Sequence, residues 1–164
     1  MEIERRFLFK PEIDINTVVA HLSYKHIQQG YLCVDKEGFS CVRVRVVGED
    51  AFLTMKKQVS ACSAYEFEYP IPYTDALCML DVMRQGYIIE KKRYYYINQQ
   101  NMCFEIDIFM KENEGLSIIE VELPSEDFPL KFPSWVGEEI TGKSQYTNAM
   151  LSSKPFSLWD STIK

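Results

Sequence analysis

The sequence predicts a mainly β fold with a few flanking helices (α+β), built on about eight antiparallel strands that can close into a barrel. Three observations predict it. Short segments alternate apolar and polar residues with a period of two, as half-buried strands do. Most connections between them are a few residues long and rich in Gly, Asn, Asp and Glu, which suits antiparallel neighbours. Helical spacing is confined to two or three short stretches.

In chain order, "MEIERRFLF" reads as the first strand. "EIDINTVVAHL" has the spacing of a short helix, with Asp14 or Asn16 as N-cap. "KHIQQGYLCVD" and "FSCVRVRVVGED" read as paired strands joined across "KEG", and "AFLTMKKQV" follows the turn at "GED". "SAYEFEYPIPY" is a strand ended by its prolines. "TDALCMLDVMRQG" is predicted to be a helix, with Leu77, Leu80 and Met83 as its apolar stripe and Gly86 at its end. "YIIEKKRYYYIN", "MCFEIDIFMK" and "LSIIEVELP" are three further strands, turned at "QQN" and "ENEG". The remainder reads as loop with one helix around "SQYTNAMLSS".

The charges of these strands fall on one parity. Glu2, Glu4 and Arg6 share a face, as do Arg43 with Arg45, Glu66 with Glu68, Lys91 with Arg93, Glu105 with Asp107, and Glu120 with Glu122; Lys56 stands alone. The opposite parity is apolar: Ile3, Val42, Val44, Val46, Phe67, Ile106, Ile119 and Val121. An open sheet with its charged face in water accounts for such a pattern. Doublets of carboxylate or guanidinium, in place of a Ser/Thr/Gln mixture, favour strands closed with these faces inward. Charges gathered in a lumen must pair, stay hydrated or bind ions. Arginine forks suit phosphate oxygens, and glutamates suit Mg2+ or Mn2+.

At 164 residues, 46% hydrophobic and 13% aromatic, the chain has material for one domain spanning 1–164. A net charge of −6 argues against a nucleic-acid partner. No apolar run approaches the ~18–20 residues that cross a bilayer, and the polar start is unlike a signal peptide. No membrane partner and a cytoplasmic location are therefore expected. The five cysteines include no C-x-x-C pair and read as reduced thiols; His21 and His26 are too far from them to suggest zinc.

The ordered series "EIERRF", "QGYL", "VRVR", "LTMK", "YEFEY", "EKKRYYY", "FEIDIF" and "IEVEL" resembles the CYTH superfamily, the triphosphate tunnel metalloenzymes, in its short single-domain bacterial form. The resemblance covers residues 2 to about 148. It implies a hydrophilic barrel that holds a small anionic triphosphate and cleaves it with a divalent metal, Mg2+ or Mn2+. It also implies that Glu2, Glu4, Glu120 and Glu122 are metal ligands and that Arg6, Arg43, Arg45, Lys56, Lys91 and Arg93 hold phosphate. Glu66, Glu68, Glu105 and Asp107 would support these cations. Glu4, Arg6, Tyr31, Lys56 and Glu122 would stand nearest the reaction. One departure is Arg6, where the family signature ends in lysine; arginine stays protonated and is no base. Tripolyphosphate hydrolysis is the leading expectation. Adenylyl cyclase chemistry, thiamine triphosphate hydrolysis and turnover-free polyphosphate or nucleotide binding are the alternatives. Tyr94–Tyr96 and Trp135 are available to a thiamine ring, but common aromatics of this kind more often pack. Lys143 and Tyr146 are candidates to cap one tunnel end, Trp159 to tuck onto the barrel or to dimerise, and Cys103 to be a buried small hydrophobe.

Overall fold

The computed structural model describes residues 1–162 and 164. Its elements run β1 (Glu2–Phe9), α1 (Ile15–Val19), β2 (Tyr24–Val34), β3 (Ser40–Val47), β4 (Asp50–Gln58), β5 (Ser63–Pro70), α2 (Tyr73–Val82), β6 (Gln85–Ile97), β7 (Cys103–Phe109), β8 (Ser117–Glu122), β9 (Val136–Glu139) and α3 (Asn148–Ser153). The eight predicted strands are all present. They pair in the order β1-β8-β7-β6-β2-β3-β4-β5, and β5 returns to β1, so the sheet closes. Every pairing is antiparallel.

Closure is narrow. Only Glu2↔Ala64 and Ile3↔Ser63 join β1 to β5, reinforced by the Glu4 N–H donating to the Cys62 carbonyl at 2.8 Å. Further along the same edge of β1, β9 takes over as the neighbour, with Phe7↔Glu139 and Phe9↔Val136. This ninth strand lies in a stretch read as loop, because "VGEE" has no alternation to betray it.

The apolar parity packs outside the barrel. Phe7, Phe104, Ile106, Ile119 and Val121 form one core with Val19 and Trp135, beneath α1 and the segment after β8. Val44, Val46 and Ala51 form another with Ala76 and Leu80 of α2. At one end, Tyr31, Ile89, Phe109, Ile118 and Ile140 meet Tyr146, Leu151 and Trp159 of the C-terminal segment. The sheet thus turns its greasy face outward, covered except over β4 and β5, where Met55, Tyr65, Phe67 and Tyr69 are exposed, and leaves its charged face to the lumen.

Asp14 caps α1, accepting from the Asn16 N–H at 3.0 Å. Helix α2 departs from its predicted face: Leu80 is buried, but Leu77 is 43% and Met83 55% exposed. Its contact seam is Ala76–Leu80, one turn apart, because a small residue lets the helix lie close on β3 and β4. Gly86 is not the cap of α2; Met83 is, and Gly86 belongs to β6 with φ +67°. A Cβ there would stand 2.3 Å from the Ser152 carbonyl oxygen. Gly86→Ala is expected to lower stability by at least about 2 kcal/mol, read as a fall in the urea midpoint, through both clash and backbone strain.

Candidate active site

The period-two geometry of a strand delivers Glu2, Glu4 and Arg6 of β1, Arg43 and Arg45 of β3, and Lys56 of β4 to one cavity of about 570 Å³. Glu66 of β5, Arg93 of β6, Glu105 of β7 and Glu120 and Glu122 of β8 complete its charged wall, with Tyr31 of β2. Glu68 faces a smaller recess of about 180 Å³ that shares Arg45, Arg93 and Glu105 with the main cavity. Lys91 and Asp107 share the inward parity but lie beneath the cavity surface, fully buried. Parity fixes which face a residue takes, not how deep it lies.

The cations are mostly spoken for by acids. Arg93 is the hub: Nε and Nη2 donate to the two Asp107 oxygens at 2.7 Å each, Nη2 also to Glu120 at 2.5 Å, and Nη1 to Glu105. Lys91 Nζ donates to Asp107 Oδ2 at 2.5 Å and to Asn148 Oδ1 of α3 at 3.2 Å. Against the opposing effect of burial, Arg93 and then Lys91 hold the Asp107 carboxyl well below the usual carboxylate range. Lys56 donates to Glu2 at 2.5 Å and lies 3.4 Å from Glu66. Arg43 Nη2 donates to Thr54 Oγ1 at 3.1 Å and to Glu68 at 3.3 Å, yet its buried Nε has no partner. Among the described residues the Arg45 side chain makes a single hydrogen bond, Nε donating to Gln29 Oε1 at 3.2 Å.

The acids of β1 and β8 are crowded. Glu4 is the cross-strand partner of Glu122, and Arg6 of Glu120. Like charges directly opposite each other are unfavourable unless a cation lies between them. Burial, and then Glu120, push the Glu4 carboxyl up to about 7. The chemistry of this donor set fits a hard divalent cation, which takes carboxylate oxygens. Among the described residues no three acidic, histidine or cysteine side chains converge on one point as they stand. Glu2 is engaged by Lys56 and Glu120 by Arg93, so holding a metal means exchanging those cations for it.

The C-terminal segment closes one end of the lumen. Thr147, Asn148 and Ala149 line the cavity, and Arg6 Nη1 donates to the Tyr146 carbonyl at 3.2 Å. Tyr146 is therefore at the lumen end, through its backbone, whereas Lys143 pairs with Glu138 on the surface. Trp159 is buried edge-on against Tyr146 and Phe156. Trp135 packs outside the barrel on Phe9, Tyr96 and Phe104. Cys103 is not a core residue; with Cys41 and Cys62 it lines the cavity. Gln29, Thr54 and Asn148 are polar members of the site that the charge pattern passes over. Their inward parity on β2 and β4 was the available signal for Gln29 and Thr54.

No protein-family profile matches the chain. It is similar to an inorganic triphosphatase of Acetivibrio thermocellus, 37% identical over 151 residues, covering 88% of this chain and 95% of that protein. An inorganic triphosphatase of Nitrosomonas europaea is 33% identical over 155 residues, covering 92% and 96%. A solved inorganic triphosphatase structure superposes with a TM-score of 0.64 at 30% identity, covering 93% of this chain and 94% of its own. With that identity maintained over nearly the whole length, and a closed barrel lined by paired charges, the chain belongs to the family of these inorganic triphosphatases.

Proposed function

We propose that the chain is a divalent-metal-dependent triphosphatase that hydrolyses inorganic tripolyphosphate within its lumen, as one domain of the tunnel (CYTH) type. One observation carries this reading: a closed sheet sets Arg6, Arg43, Arg45, Lys56 and Arg93 around the same cavity as the facing Glu4 and Glu122. Glu2, Glu4, Glu120 and Glu122 would hold Mg2+ or Mn2+. When bound, such an ion neutralises phosphate charge and lowers the pKa of its water. The arginines and Lys56 bind phosphate oxygens and offset the charge that develops as the terminal phosphoryl group leaves. The terminal nitrogens of Arg45, which no carboxylate among the described residues pairs, are donors that an anion would satisfy.

Neither Arg6 nor Tyr31 acts as a base. A guanidinium keeps its proton, and burial pushes the Tyr31 phenol up to about 12. Tyr31 accepts from Gln29 and so keeps its own O–H to donate. Proton removal from the attacking water falls to a lumen carboxylate outside the metal set; burial raises Glu105 in the direction that suits that task. Of the aromatics considered for a thiamine ring, Tyr94, Tyr96 and Trp135 pack outside the barrel, which favours an inorganic substrate. No helix among the described residues is long and apolar enough to cross a membrane, and five free cysteines suit a reducing compartment such as the cytoplasm.

Purified protein with Mg2+ or Mn2+ should release orthophosphate from tripolyphosphate at least about tenfold faster than from ATP, and chelation by EDTA should abolish release. Comparable turnover of ATP with cyclic AMP as product would overturn the reading.

A further inference from the structure

Gln29 is fully buried in β2, directly opposite Arg45 of β3. Its Oε1 accepts from Arg45 Nε at 3.2 Å, and its Nε2 donates to the Tyr31 hydroxyl at 3.0 Å. The amide cannot be turned over, since an N–H would then face the N–H of Arg45. Arg6, Arg43, Lys56, Lys91 and Arg93 each have a carboxylate within 4.0 Å. Among the described residues Arg45 has none. Burial, and then repulsion from Arg43 and Arg93, bring its guanidinium down to about 10.

We infer that Gln29 is a positioning residue for anion binding: its neutral amide fixes Arg45 by Nε, leaves both terminal nitrogens facing the lumen, and does not neutralise their charge. The inference rests on the proposed function, because the anion it serves is the triphosphate. A carboxylate in the same place would orient Arg45 equally well and cancel it. The amide therefore solves a problem that the acids around Arg93 do not: aim without pairing. Through Nε2 it also sets the direction of the Tyr31 phenol, so one side chain aligns two lumen groups that differ in charge.

The test is a set of four variants, Gln29→Glu, Gln29→Met, Arg45→Met and the double Gln29→Met/Arg45→Met. Each is titrated with inorganic triphosphate without metal and assayed for KM and kcat with metal. Gln29→Glu, nearly isosteric, is expected to weaken triphosphate binding about 10–100-fold, more than Gln29→Met, with the loss mainly in KM. In the Arg45→Met background, Gln29→Met should cost less than twofold further. A packing role alone predicts the reverse ranking and additive losses, and either result overturns the inference. Should Gln29→Glu not fold, the Met cycle decides alone. A parent chain that binds triphosphate without cleaving it sinks the functional reading and leaves this cycle informative. Active parent with additive losses sinks only the inference, and a parent that binds no triphosphate sinks both.

Discussion

Glu4→Gln is expected to reduce phosphate release from tripolyphosphate by on the order of 10³-fold or more while the barrel stays folded. The substitution keeps the shape and removes one anionic oxygen donor from the crowded β1–β8 acids. Its effect on stability runs the other way. The Glu4 carboxyl is held at about 7 in the fold, largely by burial and then by Glu120, against about 4.3 in an unfolded chain. The folded state therefore binds the extra proton between those values, and metal-free stability falls as pH rises through that window. Glutamine has no such dependence. At pH 8 the metal-free variant should be more stable than its parent by about 1–2 kcal/mol, allowing for the partial exposure of Glu4. A dead but stabilised protein is the signature; full activity, or loss of both together, would remove Glu4 from the metal set.

Asp107→Asn should be the most destabilising single change in the lumen. Asp107 is the common partner of Lys91 and Arg93, and all three are buried. Removing the charge strands Lys91 without a carboxylate and leaves Arg93 to Glu105 and Glu120, which costs about 3–5 kcal/mol. For a chain of this size that corresponds to roughly 6–20 °C in melting temperature. Arg93 and Lys91 depress the Asp107 carboxyl below its unfolded value near 3.9. Its contribution is thus complete above about pH 4–5 and is lost as pH falls below that. The variant should show a shallower acid-side loss of stability than its parent, and thermal melts from pH 2 to 7 read this directly. Equal stability would mean that the Lys91–Asp107–Arg93 cluster does not hold the barrel wall.

The strands were legible because a closed sheet with opposite chemistry on its two faces writes a period of two into every segment. "VRVRV" and "FEIDIF" could adopt no other arrangement without burying charge on the apolar side. What that period cannot carry is depth. Lys91 and Arg93 look equivalent in "EKKRY", yet one ends fully buried against Asp107 and the other reaches the cavity, because strand tilt staggers successive inward positions along the axis. Neutral inward residues were equally silent: Gln29 carries no charge to draw notice. Strand β9 is too short to have a period, and the face of α2 turned on the size of Ala76, which sets how closely a helix can lie and leaves Leu77 in solvent.

The pairing of β1 has a consequence for synthesis. Glu4 finds its partner at Glu122, and β1's other neighbours are β5 and β9. Made in chain order, β1 can take its two-residue register with β5 early, but its longer register with β8 must wait until residues 119–122 have been synthesised. Glu4 and Glu122 therefore come opposite each other only late in synthesis, after the six intervening strands β2–β7 exist.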